Sequence, residues 1–157
     1  MSKAVGRFEQ AARDRGVSLE ILRFPEGTKT APDAARAVGC EVGQIVKSLV
    51  FMAGTEPILA LTSGANRADL GRLSKLVGGV PVRRAGAEEA RSATGFGIGG
   101  TPPFGFPGRV RVFMDADLFR HEVIWAAAGT PDAVFRTSPQ ELKSAADAEV
   151  AEFKEGA

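Results

Sequence analysis

Apolar positions along this chain fall into short periodic runs, and one run stands apart from the others. From Ile45 to Ala53 the sequence reads Ile-Val-Lys-Ser-Leu-Val-Phe-Met-Ala. Strand alternation places Ile45, Lys47, Leu49, Phe51 and Ala53 on one face, with Val46, Ser48, Val50 and Met52 on the other. Both faces are almost wholly apolar, which predicts a central strand buried on two sides. Lys47 breaks the pattern. Its stem must run along apolar surface. Two readings are open: a lysine that carries its charge out to water, or a partly desolvated lysine at the mouth of a pocket, able to hold a substrate.

The remaining runs predict the elements around this strand. Val5, Phe8, Ala11, Ala12 and Arg15 follow helical spacing over residues 3 to 15, with Gly16 as the stop. Leu19 to Phe24 reads as a short strand closed by Pro25 and Gly27. Thr30-Ala-Pro-Asp33 carries a capping hydroxyl and an early proline, so a helix is expected to run to about Val38, with Gly39 ending it. A turn at Gly54 to Pro57 leads into Ile58 to Thr62, which predicts a hairpin. Asn66, with Asp69 three residues on, is expected to cap a helix whose buried stripe is Leu70, Leu73, Leu76 and Val77. A short helix over 86 to 94, strands at 110–114, 123–128 and 133–136, and a helix opened by Ser138-Pro-Gln-Glu141 complete the series. The charged tail from Asp147 is expected to fray. This order predicts one α+β domain over residues 1–157, with a largely antiparallel or mixed sheet, rather than a strict βαβ alternation.

Composition narrows the classes. With 157 residues the chain can bury about two-thirds of its unfolded surface without staples. Twenty basic and nineteen acidic residues give a formal charge of +1, which excludes a strongly basic nucleic-acid coat but leaves room for a local patch. Arg67, Arg72 and Lys75 share the polar side of one predicted helix, and Arg83 and Arg84 follow; the cluster reads either as a solvated face or as a site for a polyanion. No apolar run reaches the ~20 residues of a membrane span, and the N-terminus lacks the apolar core of a signal peptide, so a cytoplasmic setting is the expectation. Cys40 and His121 are the only cysteine and histidine. No internal disulfide can form, a dedicated metal site is not expected, and the usual nucleophile–base pairs are hard to assemble.

One stretch has no period at all. Gly95 to Gly108 holds six glycines and three prolines in fourteen residues. Glycine lets backbone approach a ligand closely while proline fixes a loop's shape, and long structureless loops in compact domains are usually functional. Its glycines fit neither the dinucleotide fingerprint nor a phosphate-binding loop.

Taken in order, the Ile45-Val-Lys-Ser-Leu49 strand, the Gly-x-x-x-Pro loop from Gly99 to Pro103 and the turn at Ala127-Ala-Gly129 resemble the YbaK/ProX family of aminoacyl-tRNA deacylases. These are free-standing relatives of the editing domain of bacterial prolyl-tRNA synthetase. The similarity runs from about Thr28 to Val150. It implies a sheet or barrel with surrounding helices, no cofactor, and hydrolysis of the ester joining a wrong, small amino acid to a tRNA, often tRNA(Pro). In family terms Lys47 holds the aminoacyl end, while Gly99 and Gly100 offer backbone N–H groups to the carbonyl oxygen as charge develops. Ser48, Thr101, Pro103, Gly129 and Thr130 are implied to bind substrate, and the basic cluster from Arg67 to Arg84 to meet tRNA phosphates. The implied partners are the tRNA acceptor end and prolyl-tRNA synthetase. A histidine carried near Gly129-Thr130 by alanine-specific members is absent here, so the acyl group stays open. A non-catalytic module binding tRNA ends or nucleotides is the alternative reading, and a structural domain with a snorkelling Lys47 a third.

Overall fold

The computed structural model describes residues 3–24 and 30–157; the turn read at Pro25 and Gly27 lies outside them. Its centre is the hairpin of β2 (Ile45–Ala53) and β3 (Glu56–Ser63). Their register runs from Val46↔Ser63 to Ala53↔Glu56, so the connection is Gly54-Thr55 alone. Such two-residue loops need positive φ, and Gly54 supplies it at 62°. Further along the chain come β4 (Val82–Arg84), β5 (Arg111–Asp115), β6 (Ile124–Ala127), β7 (Ala133–Thr137) and β8 (Glu149–Ala151), with β1 (Ile21–Arg23) before the hairpin. The sheet order is β1-β7-β6-β2-β3-β5-β8, with β4 paired to β2 beside that path. It is mixed: β6 lies parallel to β2, and β5 is parallel to both β3 and β8, while the other pairings are antiparallel.

Alternation decides which side each strand residue serves. Val46, Val50 and Met52 join Leu59, Leu61, Val112 and Met114 in one core, covered by α1 (Lys3–Asp14) and α5 (Pro139–Ala146) through Phe8 and Leu142. Phe8, Phe104 and Phe135 stack within it, with ring centroids 4.8 and 5.0 Å from Phe8. Phe51, Ala53, Ile58, Ala60 and Phe113 face the opposite way, onto Leu73 of α3 (Leu70–Leu76) and onto Phe153. Ile45 packs on Ala34 and Ala35 of α2 (Ala31–Val38). Each such side chain fully buried contributes roughly 1.5–3 kcal/mol, so a strand packed on both faces anchors the whole fold. The double burial expected for β2 is observed.

Local signals act as their chemistry dictates. Thr30 accepts from the Asp33 N–H at the start of α2, and Ser138 accepts from the Glu141 N–H at the start of α5. Three expectations fail. Leu70, expected in the buried stripe of α3, is exposed. Asp69, not Asn66, caps α3, by accepting from the Arg72 N–H. The tail does not fray: β8 pairs with β5, Arg111 makes a two-pronged ion pair with Glu149, and Phe153 is fully buried. Among the described residues no helix is long and apolar enough to cross a membrane.

Candidate functional site

The sheet is interrupted along one edge of β2. On its other edge, Gly64 N–H donates to Ile45 O at 2.7 Å, which sets the phase of the β3 ladder. Odd-numbered residues of β2 therefore bond to β3, and even-numbered ones turn their main-chain groups outward. Outward lie β6, which pairs only at Ile45 and Val46, and β4, which pairs only from Phe51 to Ala53. Ala85 N–H also closes on Val50 O at 3.1 Å. Between these contacts, the N–H and C=O of Ser48 face a gap. A cleft of about 400 Å³ occupies it, lined by Lys47, Ser48 and Leu49, by Arg84 and Ala85, by Ile98, Gly99 and Thr101, and by Trp125 to Ala127. Because the sheet is open there, residues from both faces of β2 reach a single cavity.

Lys47 is half-buried in its wall, with Nζ donating to the Asn66 carbonyl at 2.5 Å. A chain of polar groups holds that carbonyl. The Asn66 amide donates to Asp115 Oδ2 and Asp117 Oδ2, each at 2.9 Å. Asp115, only 2% exposed, also accepts from the Ser63 and Asp117 N–H groups, and Lys154 Nζ donates to Asp117 at 2.7 Å. Burial pushes the Lys47 ammonium below its ordinary pKa; the positive charges of Arg67 and Arg84 push it further, and Asp115 opposes them. An ammonium has three donors, so one bond to a carbonyl leaves two for a ligand.

The glycine-rich loop forms the facing wall. Gly100 N–H donates to Gly97 O at 3.2 Å, closing a turn whose third residue, Gly99, has φ of 90°. Thr101 Oγ1 donates to the same carbonyl at 3.1 Å. Gly100 is glycine for another reason: a Cβ there would lie 2.6 Å from Thr130 Cα and 2.8 Å from Gly129 O. The loop thus rests directly on the Gly129–Thr130 backbone. Gly129 in turn carries the main chain of α1, since its own Cβ would meet Ala4 O at 2.8 Å. Gly99 and Thr101 line the cleft, and the Gly99 N–H has no partner among the described residues. Gly129 and Thr130 stand behind the loop, and Pro103 lines a separate groove with Phe104 and Arg109.

The sequence model of the aminoacyl-tRNA editing domain matches residues 25–145. The chain belongs to that family. A crystal structure described as a candidate trans-editing enzyme for prolyl-tRNA synthetase superposes with a TM-score of 0.94 at 47% identity, covering 99% of both chains. YwhH of Bacillus subtilis, named as uncharacterized, is 29% identical over 78% of each chain. EbsC of Enterococcus faecalis, named as a candidate Cys-tRNA(Pro)/Cys-tRNA(Cys) deacylase, is 26% identical over 83% of this chain and 80% of its own. The proline–tRNA ligase of Nitratidesulfovibrio vulgaris (strain DP4) is 32% identical over 59% of this chain, which spans only 16% of that enzyme.

Within this editing domain the five basic residues separate. Arg84 lines the cleft and lies over the Phe51 ring, 5.6 Å from its centroid, and exposed Arg67 is near enough to act on Lys47. Arg83 is engaged by both oxygens of Glu89, whose carboxyl falls to about 2, and Arg72 donates to the Ala157 carbonyl. Lys75 is exposed on the last turn of α3. Neither Cys40 nor His121 lines the cleft, and no cluster of His, Cys, Asp or Glu suited to a metal occurs among the described residues. Sequence reading missed Asn66 and Asp115 as supports of Lys47. Their one signal is position, since each is a polar residue just beyond an apolar strand run.

Proposed function

We propose that this editing domain hydrolyses the ester between a small, wrongly attached amino acid and the terminal ribose of a tRNA, with tRNA(Pro) as the carrier. The observation that carries the reading is the pairing, across one small cleft, of a desolvated Lys47 with a glycine loop that offers a free N–H. Lys47 uses its two remaining donors to hold the aminoacyl end. Water attacks the acyl carbon, and the Gly99 N–H receives the negative charge on the carbonyl oxygen. The tetrahedral centre collapses to a carboxylic acid, and the departing ribose oxygen takes a proton to become a hydroxyl. Positioning and electrostatics carry this chemistry, helped by a hydroxyl of the terminal ribose; neither histidine nor cysteine enters the cleft. The Gly100 N–H, already given to Gly97, shapes the loop.

Such an activity answers a physical need. A synthetase pocket separates amino acids differing by one methylene by only about 1–3 kcal/mol, so a second site must remove the errors. The EbsC relative is named for Cys-tRNA(Pro) and Cys-tRNA(Cys), and the 47%-identical structure for prolyl-tRNA synthetase; we extend the relation to tRNA(Pro) and to that synthetase to this chain. Deacylation of a panel of mischarged tRNAs by wild type and Lys47→Ala tests the reading. Wild type should hydrolyse at least one member, and a folded Lys47→Ala should lose most of the rate. Tight binding of tRNA by wild type without hydrolysis of any member would show a binding module instead.

A further inference from the structure

Ser48 is the residue at which β6 and β4 both leave β2 uncovered, and three of its polar atoms have no partner among the described residues. Its N–H and C=O face the gap between the β6 and β4 pairings. Main-chain groups of this kind ordinarily carry ladder bonds, and left bare they seek a ligand or water. Its Oγ is buried, and among the described residues it is the only buried side-chain nitrogen or oxygen without a hydrogen-bond partner. Val46 and Val50, its neighbours on the same face of β2, are buried and line the cleft together with Ala90 and Ala126. A hydroxyl sealed among such groups is costly unless something completes it.

We propose that Ser48 selects the acyl group of the substrate, favouring a small amino acid with a side-chain hydroxyl, seryl or threonyl, over alanyl. This rests on the deacylase reading above and names its substrate class. The Ser48 C=O accepts from the α-ammonium of the aminoacyl group; rotation about χ1 then turns the buried Oγ toward the cleft, where the two hydroxyls exchange a hydrogen bond. An alanyl group fits the same space but leaves Oγ bare. Discrimination runs in this direction because a site holding an unpaired polar group rejects the analogue that lacks its partner, whereas an apolar pocket rejects an added hydroxyl only weakly. Ser48 forms no covalent bond in this scheme.

The test compares seryl and alanyl esters on the same tRNA(Pro), with wild type, Ser48→Ala and Ser48→Thr. Wild type should favour the seryl ester by about tenfold or more in kcat/KM, as expected for one buried hydrogen bond. Ser48→Ala should bring the ratio close to one, with a Tm equal to or above wild type, because it removes an unsatisfied hydroxyl. Ser48→Thr keeps the hydroxyl and should keep the preference. A wild-type ratio near one or below it, or a ratio unchanged in Ser48→Ala, overturns the assignment. Turnover of other aminoacyl-tRNAs but of neither ester overturns it alone; no turnover across the whole panel removes the deacylase reading with it.

Discussion

Replacing Gly100 by alanine places a methyl group 2.6 Å from Thr130 Cα, 2.8 Å from Gly129 O and 2.9 Å from Thr130 C. Carbon atoms pack best at about 3.5–4.0 Å, so one backbone must move by about 1 Å relative to the other. The 129–130 side is pinned: Gly129 lies against the Ala4 main chain, Ala128 N–H donates to Ala133 O at 2.9 Å, and Ala133 N–H to Thr130 O at 3.2 Å. The loop therefore has to lift. Overpacking of this kind costs about 1–3 kcal/mol. In a domain of this length that lowers Tm by about 2–12 °C, taking 2–4 °C for each kcal/mol. Lifting also withdraws Gly99 and Thr101 from the cleft wall, so turnover should fall by about 10- to 1,000-fold, as after loss of an oxyanion donor. Gly99→Ala meets no such obstacle, its nearest neighbour being Pro131 Cγ at 3.6 Å, but a Cβ at φ of 90° costs about 1–2 kcal/mol. Thermal unfolding followed by circular dichroism, with single-turnover deacylation on the same samples, measures both effects. A Gly100→Ala protein with wild-type Tm and wild-type turnover would refute the close packing of loop on turn.

The basic residues give a graded expectation. Arg84→Gln should raise KM for aminoacyl-tRNA and flatten its salt dependence, while Arg67→Gln, Arg83→Gln and Arg72→Gln, whose guanidinium groups are already engaged by Glu155, Glu89 and the Ala157 carbonyl, should do so less; equal effects at all four would reduce the cluster to a general field. Lys47 sets a pH limb. Its folded pKa lies below 10.5, so kcat/KM should fall as pH rises through that depressed value, and Arg84→Gln should move the limb to higher pH by removing a repelling charge. A limb unmoved in Arg84→Gln would contradict this. For stability the sign is opposite: between the folded pKa and 10.5 the unfolded chain holds the extra proton, so stability from this group rises with pH across that window, and a Lys47→Ala protein should lack the rise in equilibrium unfolding.

Much of this was legible in the chain because local physics set it. The two-sided alternation of Ile45 to Ala53 and the caps at Thr30 and Ser138 each depend on a few adjacent residues and are where the pattern put them; the hairpin is there too, but its turn is Gly54-Thr55 alone, with Glu56 and Pro57 of the expected four-residue turn already paired in β3. What escaped depends on distance. The gap beside Ser48 exists because β6 stops pairing at Val46 and β4 begins at Phe51, and no local signal says where partners 30 or more residues away will end. Asn66 reads as a helix cap from its neighbours, but Asp115, 49 residues on, claims its amide instead. Gly100 and Gly129 both suggest turn conformations, yet for each the main need is bare backbone against another segment. The tail was misjudged because its apolar residues are sparse, and Phe153 alone carries much of its anchoring.

That tail also decides where the working unit ends. Phe153 O accepts from the Asp69 N–H at 2.7 Å, Glu155 N–H donates to Arg67 O at 2.8 Å, and Lys154 reaches Asp117. These contacts close over the segment that carries the Asn66 carbonyl, the acceptor of Lys47. The family match stops at residue 145, yet the clamp on the lysine's acceptor is built from residues beyond it. Trimming the chain at that boundary would keep every described lining residue of the cleft in the sequence while unlatching the segment that aims the half-buried Lys47 ammonium.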